Sequence, residues 1–139
     1  MTTPYEQFGG EQFFEDLVHD FYAGVATDDE LRPMYPEEDL GPAERRLRMF
    51  LEQYWGGPRT YSEERGHPRL RMRHAPFAIG ERHRDLWLLH MRRALDNRRL
   101  PLEQDQQMWD YLLLAANSMI NQPTEPVKGM LLDPPTTQP

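Results

Sequence analysis

The stretch that decides the fold is residues 66–77, which read GHPRLRMRHAPF. Pro68 and Pro76 bracket a segment that has room for only about two turns of helix. Because a proline disfavours helix in the residue before it, this helix is expected to end close to His74. Leu70 precedes His74 by four residues, so the two side chains share one face of the short helix.

Outside this stretch, apolar residues recur at steps of three and four. They predict four long amphipathic helices, over residues 11–26, 42–54, 81–97 and 101–121. A short helical piece is expected between Asp28 and Pro36, and the glycines and prolines of residues 56–68 predict a long loop. No segment alternates as a strand does. The chain is therefore expected to have an all-α fold.

The composition of the chain excludes several classes of function. The chain has 139 residues, enough for one domain with its own core, and a net charge of −7, which argues against a nucleic-acid binder. It has no cysteine, which excludes disulfides and thiolate zinc sites and suits a reducing cytoplasm. No apolar run is long enough for a signal peptide or a membrane span. We expect a cytoplasmic protein that does not span a membrane.

The end of the sequence differs in composition from the rest. Residues 122–139 contain five prolines and no helical period long enough to pack. We expect a folded domain over residues 1–121 and a mobile, proline-rich tail over residues 122–139.

Five histidines are candidates for a metal or cofactor ligand. His19, His83 and His90 are interpreted as surface residues, and His67 as a loop residue that bonds the backbone. His83 and His90 share a helix face, but no carboxylate stands at an offset that would complete a metal site. His74 differs because Leu70 and arginines surround it, an arrangement that suits a flat apolar cofactor with anionic edges. A purely structural histidine is the alternative.

Polar aromatic residues raise the case for a cofactor cavity. Tyr22, Tyr35, Tyr54 and Trp87 are expected on inner helix faces or at a helix end. Buried hydroxyl and indole donors cost free energy unless they find a partner. The alternative is ordinary packing in which only the polar tips reach water. From the residues alone, the chain is an all-α domain with room for a cofactor.

Longer runs of sequence resemble a known family. Residues 46–58 (RLRMFLEQYWGGP), residues 61–63 (YSE) and residues 66–77 resemble the second helix, the following loop and the proximal segment of group II truncated haemoglobins, especially actinobacterial ones. The similarity covers residues 5 to about 121. It implies a truncated globin, a two-over-two helical sandwich around haem b, in which most of the proximal helix is replaced by an extended loop.

The resemblance also implies roles for particular residues. His74 corresponds to the proximal ligand of the haem iron, and its other ring nitrogen is expected to donate to a backbone carbonyl. Tyr22, Tyr35 and Trp87 correspond to the three polar aromatic residues that stabilise a bound diatomic ligand on the distal side. Ala43 stands where many other globins place a distal histidine, so hydrogen bonding is left to those three side chains.

A further set of residues is expected to contact the haem. Arg46 and Arg73 are candidates for its propionates, with Tyr54 near the same edge. The complete set of expected contacts is Ala43, Arg46, Leu47, Phe50, Tyr54, Leu70, Arg73, Phe77, Ile79 and Met91.

The function that the resemblance implies is reversible, high-affinity binding of dioxygen and other diatomic ligands at one iron. It would serve oxygen binding or redox detoxification of nitric oxide or peroxide. Nitric oxide dioxygenase or peroxidase-like turnover would need an unidentified reductase, and a homodimer is compatible with this reading. The alternatives are a haem-based oxygen or redox sensor, an oxygen carrier without catalytic turnover, and a cofactor-free interaction module.

Overall fold

The computed structural model describes residues 2–122. Its α-helices are α1 (Pro4–Phe8), α2 (Gly10–Ala26), α3 (Gly41–Tyr54), α4 (Thr60–Arg65), α5 (Leu70–His74), α6 (Glu81–Asp96) and α7 (Leu102–Ser118). A 3-10 turn spans Arg32–Met34. The described residues contain no strand, so the predicted all-α class is confirmed. The predicted tail lies, beyond Gln122, outside the described residues.

The four long helices and the short helix that ends at His74 are found where the sequence predicts them. The loop predicted over residues 56–68 is wrong in part, because α4 lies within it. This helix has only six residues, too few for an apolar period to show. Gln53 of α3 fixes it, since its side-chain amide donates to Ser62 Oγ at 2.7 Å and accepts from the Ser62 N–H at 2.9 Å.

Helix α1 was not predicted from the sequence, although its signals are local. Pro4 stands in its first turn, and Thr3 and Glu6 form a capping box in which each side chain accepts from the other residue's backbone N–H. The Tyr5 N–H donates to the Trp55 carbonyl at 2.8 Å, which ties α1 to the end of α3. A five-residue helix is held by its caps and by this contact, so periodicity cannot reveal it.

The long helices form a two-over-two sandwich. Helix α2 packs against α3, α6 packs against α7, and α2 and α6 join the two pairs. The centre of the core is the inner face of α2, whose buried residues are Phe13, Phe14, Leu17, Val18, Phe21, Tyr22 and Val25. None of the helices within residues 2–122 is both long and apolar enough to cross a lipid bilayer.

The last described residues fold back onto the segment before α6. The predicted fourth helix therefore stops at Ser118, three residues short of Asn121. The Asn121 N–H donates to the Ile79 carbonyl at 2.9 Å, and Asn121 Oδ1 accepts from the Ile79 N–H at 2.8 Å. Asn121 Nδ2 also donates to the carbonyls of Phe77 at 2.8 Å and His74 at 3.3 Å. One asparagine thus fixes the chain that follows His74.

The core predicts a large stability effect at Phe14, which is fully buried among Tyr5, Phe8 and Phe13. We expect Phe14→Ala to lower the free energy of unfolding by about 3–5 kcal/mol, because it removes apolar contacts and leaves a cavity. Urea denaturation measures the loss. Leu102→Ala is the control, since Leu102 is 84% exposed and its truncation should change stability by no more than about 0.5 kcal/mol. Equal losses in the two variants would contradict this description of the core.

Candidate functional site

A cavity of about 500 Å³ opens between the two helix pairs and the short helix α5. This volume lies within the range of small-molecule and cofactor sites. Its wall includes most of the residues that the sequence predicted for a site: Tyr22, Tyr35, Ala43, Arg46, Leu47, Phe50, Leu70, Arg73, His74, Phe77, Ile79 and Trp87.

Two predicted contacts do not lie in the cavity wall. Tyr54 is 52% exposed, and its ring stacks on Tyr111 with centroids 4.0 Å apart. Met91 is completely buried in the core, one turn further along α6 than Trp87. Tyr54 and Met91 each lie four positions after a wall residue of the same helix. This spacing keeps them on the same helix face but places each side chain about 6 Å further along the helix axis, beyond the end of the cavity.

His74 lies in the cavity wall with one ring nitrogen already bound. Its Nδ1 is 2.7 Å from the carbonyl oxygen of Leu70, one turn earlier in α5. Because a carbonyl can only accept, Nδ1 must carry the proton, and this fixes the tautomer of the neutral ring. Nε2 then holds a free lone pair and has no hydrogen-bond partner in the described part of the chain. The hydrogen bond expected from the sequence is present.

His83 is a second histidine in the wall, but its ring has the opposite polarity. Its Nδ1 accepts a hydrogen bond from the Gly80 N–H at 3.3 Å, at the start of α6. In the neutral ring, Nε2 must therefore carry the proton and cannot donate a lone pair to a metal. Of these two wall histidines, His74 is the one prepared to act as a ligand.

The segment that carries His74 is held by backbone contacts on both sides. Arg69, before α5, has a φ of +44°, a left-handed conformation that is uncommon for a residue with a side chain. The Arg73 guanidinium spans this bend, since it donates to the carbonyls of Pro68 at 2.6 Å, Arg65 at 2.7 Å and His67 at 3.2 Å. Arg73 lies in the wall as expected, but most of its donors stabilise the loop.

Three polar aromatic residues meet elsewhere in the wall. The rings of Tyr22 and Tyr35 lie edge to face with centroids 5.5 Å apart. Burial raises the pKa of Tyr35 to about 12, although hydrogen bonding from Tyr22 and Trp87 to the Tyr35 oxygen opposes the rise. Burial and the nearby Tyr35 raise the pKa of Tyr22 well above its usual value. Both hydroxyls therefore keep their protons at neutral pH and remain hydrogen-bond donors.

Tyr35 owes its position to the segment around the 3-10 turn. The Arg32 guanidinium donates to the carbonyls of Tyr35 at 2.8 Å, Glu37 at 2.7 Å and Glu38 at 2.8 Å, so one side chain folds the loop over itself. Trp87, by contrast, stands on the long helix α6 and packs edge to face on Phe21 at 5.2 Å. The polar cluster thus joins a loop to a helix.

The charged part of the wall contains one arginine that sequence reasoning missed. Arg46 is paired with Glu37 through two bonds of 3.0 and 3.1 Å, and Arg84 bonds Asp85. Arg65 contacts the ring of Tyr61 at 5.8 Å. Among the wall arginines of the described residues, it is the one whose guanidinium donates no hydrogen bond to a carboxylate or carbonyl, although its charge helps to lower the pKa of Glu37. It was missed because it belongs to α4, in the segment predicted as a loop.

Other wall residues come from elements whose role the sequence left undefined. Tyr61 on α4 is 4% exposed and packs on Phe50 with ring centroids 5.7 Å apart. Tyr111 and Leu112 of α7, with Met119 just after the helix, also line the cavity. The helical period predicts the helix but not that one of its faces borders an open space.

The interpretation of His90 as a surface residue is wrong. His90 is 8% exposed, and its Nε2 lies 2.7 Å from Asp28 Oδ2. Its partner is 62 positions away, so spacing within α6 could not reveal the pair. His19 is a surface residue as interpreted, since its side chain is 70% exposed. No group of three or more histidine, aspartate or glutamate side chains within residues 2–122 is placed to hold a metal ion.

Comparison with known proteins agrees with this geometry. Residues 3–121 match the bacterial-like globin family. The group 2 truncated hemoglobin YjbI of Bacillus subtilis is 43% identical over 121 residues, which cover 87% of this chain and 90% of that protein.

Solved structures are similar over the same region. A thermostable hemoglobin from the actinobacterium Thermobifida fusca is 63% identical with a TM-score of 0.87, and the match covers 88% of this chain and all of that one. The group II truncated hemoglobin of Bacillus anthracis is 40% identical with a TM-score of 0.85, over 90% of this chain and 95% of that one.

Proposed function

This chain belongs to the bacterial-like globin family, as a haem globin of the truncated type that binds oxygen and other diatomic ligands. On that premise, we propose which residues of the cavity hold the haem and the diatomic ligand. The cavity holds haem b, with His74 as the protein ligand to the iron. Tyr22, Tyr35 and Trp87 donate hydrogen bonds to the diatomic ligand. When bound, haem would supply an iron that His74 would hold and that would bind the diatomic molecule.

The observation that carries this proposal is the state of the His74 ring. An imidazole can bind a metal only through a nitrogen that carries no proton. The Leu70 carbonyl holds the proton on Nδ1, so in the neutral ring Nε2 is the nitrogen with a free lone pair. The same bond makes the ring a better electron donor and holds its plane.

The polar aromatic cluster would hold the diatomic ligand. Donors close to a bound diatomic ligand stabilise the negative charge that develops on it. Before a ligand is present, Tyr22 and Trp87 donate to the Tyr35 oxygen, so they turn from Tyr35 to the ligand when it binds. Tyr22 and Tyr35 are neutral donors over the physiological pH range, since burial raises the pKa of each. Each neutral hydrogen bond is worth about 0.5–1.5 kcal/mol net, so the cluster slows ligand escape. Ala43, 4% exposed, adds no competing donor.

The positive charge of Arg65 suits an anionic edge of the cofactor. The haem propionates are two carboxylates, and carboxylates pair well with a guanidinium whose N–H groups are not already hydrogen-bonded. Arg46 is a second candidate, but Glu37 already occupies two of its donors. We therefore assign the larger share of propionate binding to Arg65.

The physiological role that fits this site is tight binding of a diatomic ligand followed by redox chemistry. Slow release makes a poor long-range carrier, whereas it suits redox detoxification of nitric oxide or peroxide. Such turnover takes electrons from a separate reductase in a reducing compartment such as the cytoplasm. In support of tight binding, a similar structure, 41% identical with a TM-score of 0.81, is a truncated oxygen-avid haemoglobin from Bacillus subtilis. A homodimer is compatible with this function.

His74→Gly tests the iron ligand. We expect the wild-type protein to show the intense Soret absorbance of bound haem, and the variant to lose stable haem retention until free imidazole is added. His83→Gln is the matched control, because His83 shares the cavity wall but presents a protonated Nε2. Full haem stoichiometry in His74→Gly without imidazole, or loss of haem in the control alone, would assign the ligand to another residue.

Trp87→Phe tests the polar cluster. It keeps an aromatic ring but removes the indole N–H, so we expect oxygen to dissociate roughly two- to tenfold faster, the equivalent of one neutral hydrogen bond. Stopped-flow displacement of oxygen by carbon monoxide measures the rate. Trp109→Phe is the control, since Trp109 packs under Arg92 and is not part of the wall. An unchanged rate in Trp87→Phe would leave the tyrosines as the only donors.

Arg65→Ala tests the propionate contact. We expect haem to transfer to an acceptor globin roughly two- to fivefold faster, because an exposed ion pair is worth up to about 1 kcal/mol. Arg59→Ala, just before the same helix α4 and outside the wall, should transfer haem at the wild-type rate. Haem dimethyl ester has no anionic edge, and with it the Arg65 variant should match the wild type. A difference that persists with the ester would refute the ion pair.

A further inference from the structure

His90 and Asp28 form a buried pair that the haem site as described does not use. His90 Nε2 and Asp28 Oδ2 are 2.7 Å apart, and the two side chains are 9% and 11% exposed. Burial alone would raise the pKa of the Asp28 carboxyl, but hydrogen bonds lower it, and the hydrogen bond to His90 is the largest contribution. Neither residue lines the cavity. Any effect of the pair on the cavity is therefore transmitted through the elements that it joins.

Asp28 also organises the loop that carries Tyr35. Its other carboxylate oxygen, Oδ1, accepts from the N–H groups of Glu30 and Leu31, each at 2.9 Å. Leu31 is 3% exposed and lies in the cavity wall, directly before the 3-10 turn Arg32–Met34. Tyr35 follows that turn. One carboxylate thus fixes the start of this loop and binds it to α6.

His90 is placed where it can set the position of Trp87. The two residues are three positions apart on α6, so they share one side of the helix within a single turn. Tyr35 accepts hydrogen bonding from Trp87. The Asp28–His90 bond therefore spans the same two elements that meet at the Tyr35–Trp87 contact.

The imidazole is held at a cost, which argues against simple packing. His90 Nδ1 is buried and has no hydrogen-bond partner in the described residues. A Cβ atom at Gly24 of α2 would lie only 2.4 Å from this Nδ1, so the ring fits only because residue 24 has no side chain. A buried nitrogen without a partner is unfavourable. An apolar side chain of similar size at position 90 would fill the space without that cost, but Asp28 Oδ2 would lose its hydrogen bond.

We propose that Asp28 and His90 are a positioning pair for the ligand site, which fixes the loop that carries Tyr35 against the helix that carries Trp87. This inference rests on the proposed role of Tyr35 and Trp87 as ligand donors. When the pair is lost, the loop is held less firmly, the donors lose their alignment, and the diatomic ligand escapes faster.

A second bridge between the same elements provides a matched control. Arg82 of α6 donates to both carboxylate oxygens of Glu30, at 2.7 and 2.9 Å. These side chains are 66% and 53% exposed, so water and salt screen the pair. Arg82→Gln should leave ligand dissociation unchanged.

The experiment compares His90→Leu with the wild type in haem-loaded protein. We expect oxygen to dissociate roughly two- to tenfold faster, the equivalent of one misaligned donor, and the C–O stretching frequency of the carbon monoxide adduct to shift. His90→Gln, which keeps an N–H that can donate to Asp28, should restore both values toward the wild type. If His90→Leu does not fold, Gly24→Ala displaces the imidazole with every polar group retained, and the same changes are expected.

A background with Tyr35→Phe and Trp87→Phe separates positioning from general stability. There, His90→Leu should have no further effect on the dissociation rate, although its effect on the thermal midpoint should be the same in both backgrounds. The inference is overturned if His90→Leu lowers the midpoint but leaves the rate and the C–O stretch at wild-type values, or if its effect on the rate persists when both donors are absent. An unchanged oxygen dissociation rate in Tyr35→Phe would overturn the proposed role of Tyr35 as a donor. If Tyr35→Phe speeds dissociation but His90→Leu does not, only the positioning role of the pair is overturned.

Discussion

The hydrogen bond from His74 Nδ1 to the Leu70 carbonyl is the contact on which the account of this cavity depends. It links two residues of a five-residue helix at 2.7 Å and fixes the tautomer that leaves Nε2 available. So short a helix has little stability of its own, since helices of fewer than about 12 residues are marginal without outside contacts. The surrounding chain therefore supplies the support, through the Arg73 guanidinium before the helix and the Asn121 side chain after it.

The two sides of the cavity are held in similar ways. On the His74 side, arginine and asparagine side chains bond backbone carbonyls of an irregular segment. On the side of the polar aromatic residues, Arg32 donates to backbone carbonyls and Asp28 accepts from a backbone N–H group of the loop that carries Tyr35. In both places polar side chains position a loop by bonding its backbone. The long helices α2, α3, α6 and α7 pack together and form the frame that carries these loops.

The fold and much of the cavity could be predicted from the sequence because each depends on local rules. Helical period located the long helices, and two prolines located the end of α5 at His74. These rules do not tell how far a cavity extends along a helix axis, or which distant residue of the chain a side chain contacts. Tyr54 and Met91 share faces with wall residues, but the cavity ends before it reaches them. His90 was misread because Asp28 lies in another part of the chain, and Arg65 because α4 is too short to show a period.

The central claim is that a preset His74 ring binds the haem iron, and a crystal structure of the haem-loaded protein tests it most directly. The account predicts that His74 Nε2 is the protein ligand to the iron, with Nδ1 still donating to the Leu70 carbonyl, and that Tyr22, Tyr35 and Trp87 lie on the opposite face. Iron bound by His83, or a His74 ring turned away from the Leu70 carbonyl, would contradict it.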